Sequence, residues 1–337
     1  MQHPLTARRQ AKPNGVIEAL SAGYAAVNRR LWVLLLPIAV DLVLWFGPHV
    51  SYSPLVDPTV TRASEMVRQV STGPRRAPRD PDVASAVDNT GQWLIARTGE
   101  VNVLSLVARG PIALPSLGLA SGQGDFTFVS DWGAGLGLLA AILFSGLFVG
   151  GCFYGGLADA SAGRSANPLR LGRRAPRYVA RVLGLLCALI GVGLLLGLPV
   201  LLLVAFTWFV ARAVATFALV LVGAALLLIA LHLFFALDAI FVSDVGPLAA
   251  IQRSVGVVRR HLLPSISLVM LTWLILAGMD RVWEVLASNV QPPFGIALSI
   301  LGNAYIASGL IAASMVFYTE RVEAPPSAAV ASALSPS

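Results

Sequence analysis

The feature that most limits what this chain can become is a series of apolar runs that only a bilayer accommodates. Residues 132–157, 178–210, 214–242, 262–279 and 294–318 each reach the ~18 residues that a spanning helix needs. Residues 31–46 form a sixth run, with Trp32 and Trp45 near its ends as interfacial belt residues. That run is a little short unless its neighbours extend it. Only 12% of the 337 residues are charged, against about 25% in a soluble domain. The expected fold is an all-α polytopic membrane bundle of six spans, occupying residues 15–321.

Two further segments are helical by pattern but too polar to span. In 244–263, Ile251, Val255, Val258 and Leu262 make one helical stripe, and Arg253, Arg259, Arg260 and His261 lie off it. In 15–28, Val16, Leu20, Tyr24 and Val27 do the same. Both read as cytoplasmic interfacial amphipathic helices, with the stripe in the acyl region and the arginines among headgroups. Residues 1–14 and the Ala-, Pro- and Ser-rich tail 322–337 are expected to be disordered.

Residues 49–131 form a polar insert, expected on the extracytoplasmic side. Short helices are predicted over 58–70 and 82–97, joined by a Pro- and Arg-rich linker. The following stretch, 101–120, is apolar for an exposed loop. It must pack on the helix ends, dip into the bilayer or cover something, and packing as a lid is the expectation. Small residues then recur every four positions in 132–157: Gly133, Gly137, Ala141 and Ser145, Gly146 with Gly150, and Gly151 with Gly155. Such spacing lets two helix backbones approach closely. Gly191, Gly193, Gly197 and Pro199 predict a kink or tilt in the third span, and a tight turn is expected over 208–213.

Sidedness follows from arginine. With both termini inside, the cytoplasmic segments hold Arg29 and Arg30, the cluster Arg164, Arg170, Arg173, Arg174, Arg177 and Arg181, and then Arg253, Arg259 and Arg260. The short outer connections hold only Arg212 and Arg281, which is the positive-inside pattern. This accounts for the formal charge of +7 without nucleic acid, for which no groove-reading motif is present. Arg164, Arg170, Arg173, Arg174, Arg177, Arg253, Arg259 and Arg260 are candidate contacts to anionic phospholipid headgroups. Cys152 and Cys187 both lie inside apolar runs and do not suggest a disulfide framework.

The segment 239–262 carries Asp244, Gly246, Pro247, Ala250, Ile251, Arg253, Ser254, Val258 and Arg259. It resembles a pattern in bacterial and archaeal six-helix membrane proteins, where an acidic residue and a Gly-Pro turn lead into an Arg-Ser helix. That group is similar to the membrane domain attached to some glycerophosphodiester phosphodiesterases and consists largely of families without assigned function. Val255 departs from it, standing where an aromatic residue often follows the serine. The resemblance implies fold and topology and carries no catalytic residue.

Asp41 and His232 are the ionisable residues deepest in the apolar runs, where exposure to lipid would cost several kcal/mol. Counted at 1.5 Å per residue from the inner boundary, both lie roughly 16–18 Å deep, so they are expected to pair inside the bundle. Asp238 is expected nearer the inner interface and hydrated. Asn303 and Ser308 are expected to hydrogen-bond between helices. No phosphate loop, zinc helix or nucleophile elbow stands out, and the insert is too small for a catalytic barrel. The expectation is a non-enzymatic protein of a bacterial inner membrane that holds no cofactor. It would be a scaffold or an accessory subunit for a protein partner, the alternative being a small proton-linked permease.

Overall fold

The computed structural model describes residues 15–72, 89–96, 102–117, 126–165, 167–291 and 293–322. The expectations for 1–14, for most of the 71–81 linker and for the tail after Val322 lie outside them. In order, the helices begin with α1 (Val16–Asn28), a 3₁₀ turn at Leu31–Leu34 and α2 (Leu35–Phe46). A strand β1 (His49–Ser51), α3 (Ser53–Thr72), α4 (89–96), α5 (Leu106–Arg109) and β2 (Phe126–Phe128) make up the insert. There follow α6 (Trp132–Ser161), α7 (Pro168–Val192), a π-helical turn at Gly193–Gly197, α8 (Leu198–Val210) and α9 (Arg212–Leu233). The chain closes with α10 (Ala236–Ser243), α11 (Pro247–Arg260), α12 (Leu262–Asn289) and α13 (Phe294–Val322).

Five helical stretches are long and apolar enough to cross a membrane: Trp132–Ser161, Pro168–Trp208, Arg212–Ser243, Leu262–Asn289 and Phe294–Val322. Leu31–Phe46 is apolar but shorter, about 25 Å against the ~30 Å of a hydrocarbon core. Of the arginines in 164–181 only Arg164 sits in the connection between helices. The connection is only the turn at Gly163, whose φ is +67°, before Asn167 accepts a hydrogen bond from the Leu169 N–H at 2.9 Å and Pro168 opens α7. Arg170 to Arg181 are thus the first turns of a continuous helix. Its third-span kink is the π turn before Pro199, a proline that removes one helical donor. The break expected over 208–213 narrows to Ala211, at φ −150° and ψ 87°.

The chain divides into two compact units. One comprises residues up to Leu34, Gly151–Trp283 and Gly302 onward. Its core is aromatic: the Phe241 ring lies 5.3 Å from Tyr154 and 4.8 Å from Tyr178, and Phe235 stacks on Phe317 at 5.4 Å. Small residues seat the amphipathic helices here. α1 buries Ala19, Gly23, Ala26 and Val27, and a Cβ on Gly23 would meet the Ala313 backbone at 2.4 Å. α11 buries Ala250, Ser254, Val257 and Val258. In both helices the buried face is rotated by about one residue from the expected apolar stripe, because close approach selects small side chains over large ones. Ile17 and Leu248 are left exposed.

The other unit comprises Leu35–Gly150 and Glu284–Leu301. β1 and β2 pair in parallel, His49 opposite Phe126 and Ser51 opposite Phe128, a small sheet that the all-helical expectation omits. The Tyr52 hydroxyl donates to the Gly135 carbonyl at 2.8 Å, tying the insert to the start of α6.

Candidate functional site

The Arg-Ser helix closes a break in a spanning helix. α9 and α10 would be one helix but for a turn at Phe234 and Phe235, where the backbone leaves helical geometry at Phe235, at φ −88° and ψ 7°. A break at membrane depth frees backbone groups that water cannot reach, and each must find a partner. Ser254 supplies it: its hydroxyl donates to the His232 carbonyl at 2.6 Å and accepts from the Phe235 N–H at 3.1 Å. Ser254 is fully buried, so one hydroxyl on α11 stands in for the missing rung.

The acidic residue of the motif ends α10. Asp244 adopts the left-handed conformation at φ +53°, which a short polar side chain tolerates better than most. Gly246 then sits at the N-cap of α11 and Pro247 at its first turn, where proline loses no hydrogen bond. The Asp244 carboxylate pairs with Arg181 and, at 3.4 Å, with Arg177, fastening the α10–α11 turn to α7. A Cβ at Gly184 would lie 2.9 Å from the Pro247 ring, so the two helices meet there without room for a side chain.

Asp41 anchors a second constellation. It is buried, and its carboxylate accepts hydrogen bonds from the Ser116 hydroxyl and, at 3.4 Å, from the Leu117 N–H. Those donors belong to the apolar stretch of the insert. That stretch starts at Asn102, whose side chain accepts from the Val50 and Leu104 N–H groups at 3.1 Å. It turns through α5 and returns, with the Leu114 N–H donating to the Ala108 carbonyl at 2.8 Å. Val107 rests on Gly146 and Ile112 on Gly150, about 21 and 27 Å along α6 from Trp132 at 1.5 Å per residue. Val107 and Ile112 therefore lie beside α6 and away from its first turns. Glycines 146 and 150 admit this stretch of the insert, whereas Gly151 and Gly155 face Ala175, Tyr178 and Leu171 of α7.

Asp41 and His232 have separate partners. The His232 Nδ1 lies 2.8 Å from the Leu228 carbonyl of its own helix, and no described hydrogen bond joins it to Asp41. Arg164 pairs with Asp159 at 2.9 Å and Arg177 with Asp244, so these two are engaged in ion pairs within the chain. Arg170, Arg173, Arg174, Arg253, Arg259 and Arg260 are exposed. Asp238 is buried, not hydrated. Ser314 hydrogen-bonds its carboxylate, while its Oδ2 has no hydrogen-bond partner among the described residues. The hydrated environment expected from sequence fails because position along one helix does not reveal what distant segments pack against it. The expected contacts of Asn303 and Ser308 are instead made by tyrosines: Tyr24 donates to the Ile306 carbonyl at 3.3 Å and Tyr305 to the Asn28 side chain at 3.0 Å. Among the described residues no group of three His, Cys, Asp or Glu side chains is placed to hold a metal.

Residues 89–323 match a family described as a domain of unknown function, DUF7847. The matched region is more than half of the chain and contains the five long spans, Ser254 and Asp244, while Asp41 lies outside it. No curated protein and no solved structure matches the chain.

Proposed function

This chain belongs to the DUF7847 family, and on that premise we propose that it is a non-enzymatic membrane protein serving as a scaffold or accessory subunit of an envelope or transport system. Its place is a bacterial plasma membrane, crossed six times with both termini inside, as the arginine distribution favours. The observation that carries this reading is the uneven cover of the spans. In α13, 56% of the apolar window is buried within the chain, whereas in Pro168–Trp208 and Arg212–Ser243 the share is 6%. The α8–α9 hairpin therefore offers apolar surface to lipid or to another membrane protein. Photo-crosslinkers at Leu201 and Leu227, both exposed, test it in native membranes. A discrete protein adduct from both positions is expected, and adducts with lipid alone would overturn the scaffold reading.

Asp41 supports a second reading, a small proton-linked permease. A buried carboxylate at the return of a re-entrant chain is an arrangement used in ion and proton pathways. Solute uptake into liposomes driven by a proton gradient, and lost in Asp41→Asn without unfolding, would favour it. Equal uptake by the variant would remove Asp41 from any pathway.

A further inference from the structure

α11 and the end of α13 flank an open cavity of about 250 Å³, lined by Gln252, Arg253, Gly256, Val257, Arg260, Arg321 and Val322. Three arginines from two helices are among its lining residues. Arg321 is buried, with its guanidinium 3.3 Å from the centre of the Phe317 ring and one nitrogen donating to the Phe317 carbonyl at 3.2 Å. The ring and the carbonyl hold it in one orientation. Glu320 lies 3.9 Å from Arg321, and among the described residues neither Arg253 nor Arg260 makes an ion pair. Bringing like charges together is unfavourable unless an anion joins them. The negative ends of two helices offset part of that repulsion, each typically by less than the charge of one whole anion.

We propose that this cavity is a binding site for a single phosphate group, with Arg253, Arg260 and Arg321 as its cationic ligands and Gln252 as a neutral donor. Guanidinium suits this chemistry because its planar fork gives two parallel hydrogen bonds to phosphate oxygens. The group is either the headgroup of an anionic phospholipid or free phosphate. Leu262 and Leu263 are exposed just beyond α11, which provides apolar surface for the chains of a lipid whose headgroup enters the site. The site goes beyond the scaffold reading and stands whether or not a partner subunit exists.

The full chain in nanodiscs of phosphatidylcholine with phosphatidylglycerol, examined by native mass spectrometry, tests it. The wild type should retain phosphatidylglycerol, and R253Q/R260Q should lose it by on the order of tenfold or more. Arg259→Gln should retain it, whereas Arg253→Gln, which removes an equal single charge from the same helix but inside the cavity lining, should weaken retention. Gly256→Leu serves as a second variant. A Cβ there meets nothing within 4 Å, so the side chain fills the cavity while helix propensity is raised. It should abolish retention without lowering the melting temperature. In detergent, inorganic phosphate should raise the melting temperature of the wild type more than that of R253Q/R260Q if the ligand is the free group. Phosphate without effect, together with retained lipid, assigns the headgroup. Retention lost equally in Arg259→Gln, retention unchanged in Gly256→Leu, or no response to either probe would overturn the site.

Discussion

Ser254 shows how much one hydroxyl decides here. Its replacement by alanine strips partners from the His232 carbonyl and the Phe235 N–H, both at a buried break. Ser254→Ala should therefore lose about 2 kcal/mol, and Ser254→Thr, which keeps the hydroxyl, should lose less, as read from melting in detergent. Equal stability of alanine variant and wild type would mean that the break finds other partners. His261 provides a test by pH. Burial first, then the charges of Arg321 and Arg260, hold its imidazole below the ordinary 6.5. The folded chain then binds its proton at lower pH than the unfolded chain. Stability is unaffected above about 6.5 and is lost as pH falls below it. Melting temperatures followed downward from neutral pH should drop in the wild type and drop less in His261→Gln. The sequence marks Ser254 and Asp244 as a motif, but not what the serine does, because its partners lie near the end of another helix.

Among the elements, the spans were legible because an apolar run of that length has one solution in a bilayer. What escaped was which face each helix buries. A stripe of large apolar residues is a sound guide in water, but against lipid it separates nothing from nothing, and small residues choose the contacts. The seat of the 102–117 stretch on α6 escaped for a related reason, since its apolar side chains are matched by two glycines on α6 that read equally well as a helix–helix seam. Gly146→Ala tests that assignment: its Cβ would sit 2.7 Å from the Val107 carbonyl, so that stretch must move. A loss of roughly 1–3 kcal/mol is expected. Gly137→Ala, where a Cβ meets nothing within 4 Å, should instead gain up to about 1 kcal/mol from helix propensity. The reverse order in thermal melts would detach the stretch from α6.

At the scale of the molecule, the six-span topology predicts that Thr61 and Ser165, both exposed, lie on opposite sides of the membrane. Single cysteines placed there, with Cys152 and Cys187 replaced, should react with an impermeant reagent from opposite faces, and labelling from one face would exclude a crossing by α6. The helix from Pro168 to Trp208 has 41 residues and is about 60 Å long at 1.5 Å per residue, twice the ~30 Å of a hydrocarbon core. In the proposed topology Arg181, paired with Asp244, lies at the polar boundary. From there to Trp208 about 40 Å remain, and a helix that exceeds the core in this way accommodates by tilting together with its kink at the π turn. Its inclination then reads the thickness of the bilayer, and its foot is the Arg181–Asp244 link beside α11. In vesicles of longer acyl chains the rod should stand more upright, measurable from the orientation of a probe on α8, and in Asp244→Ala that response should no longer be transmitted to a probe on α11.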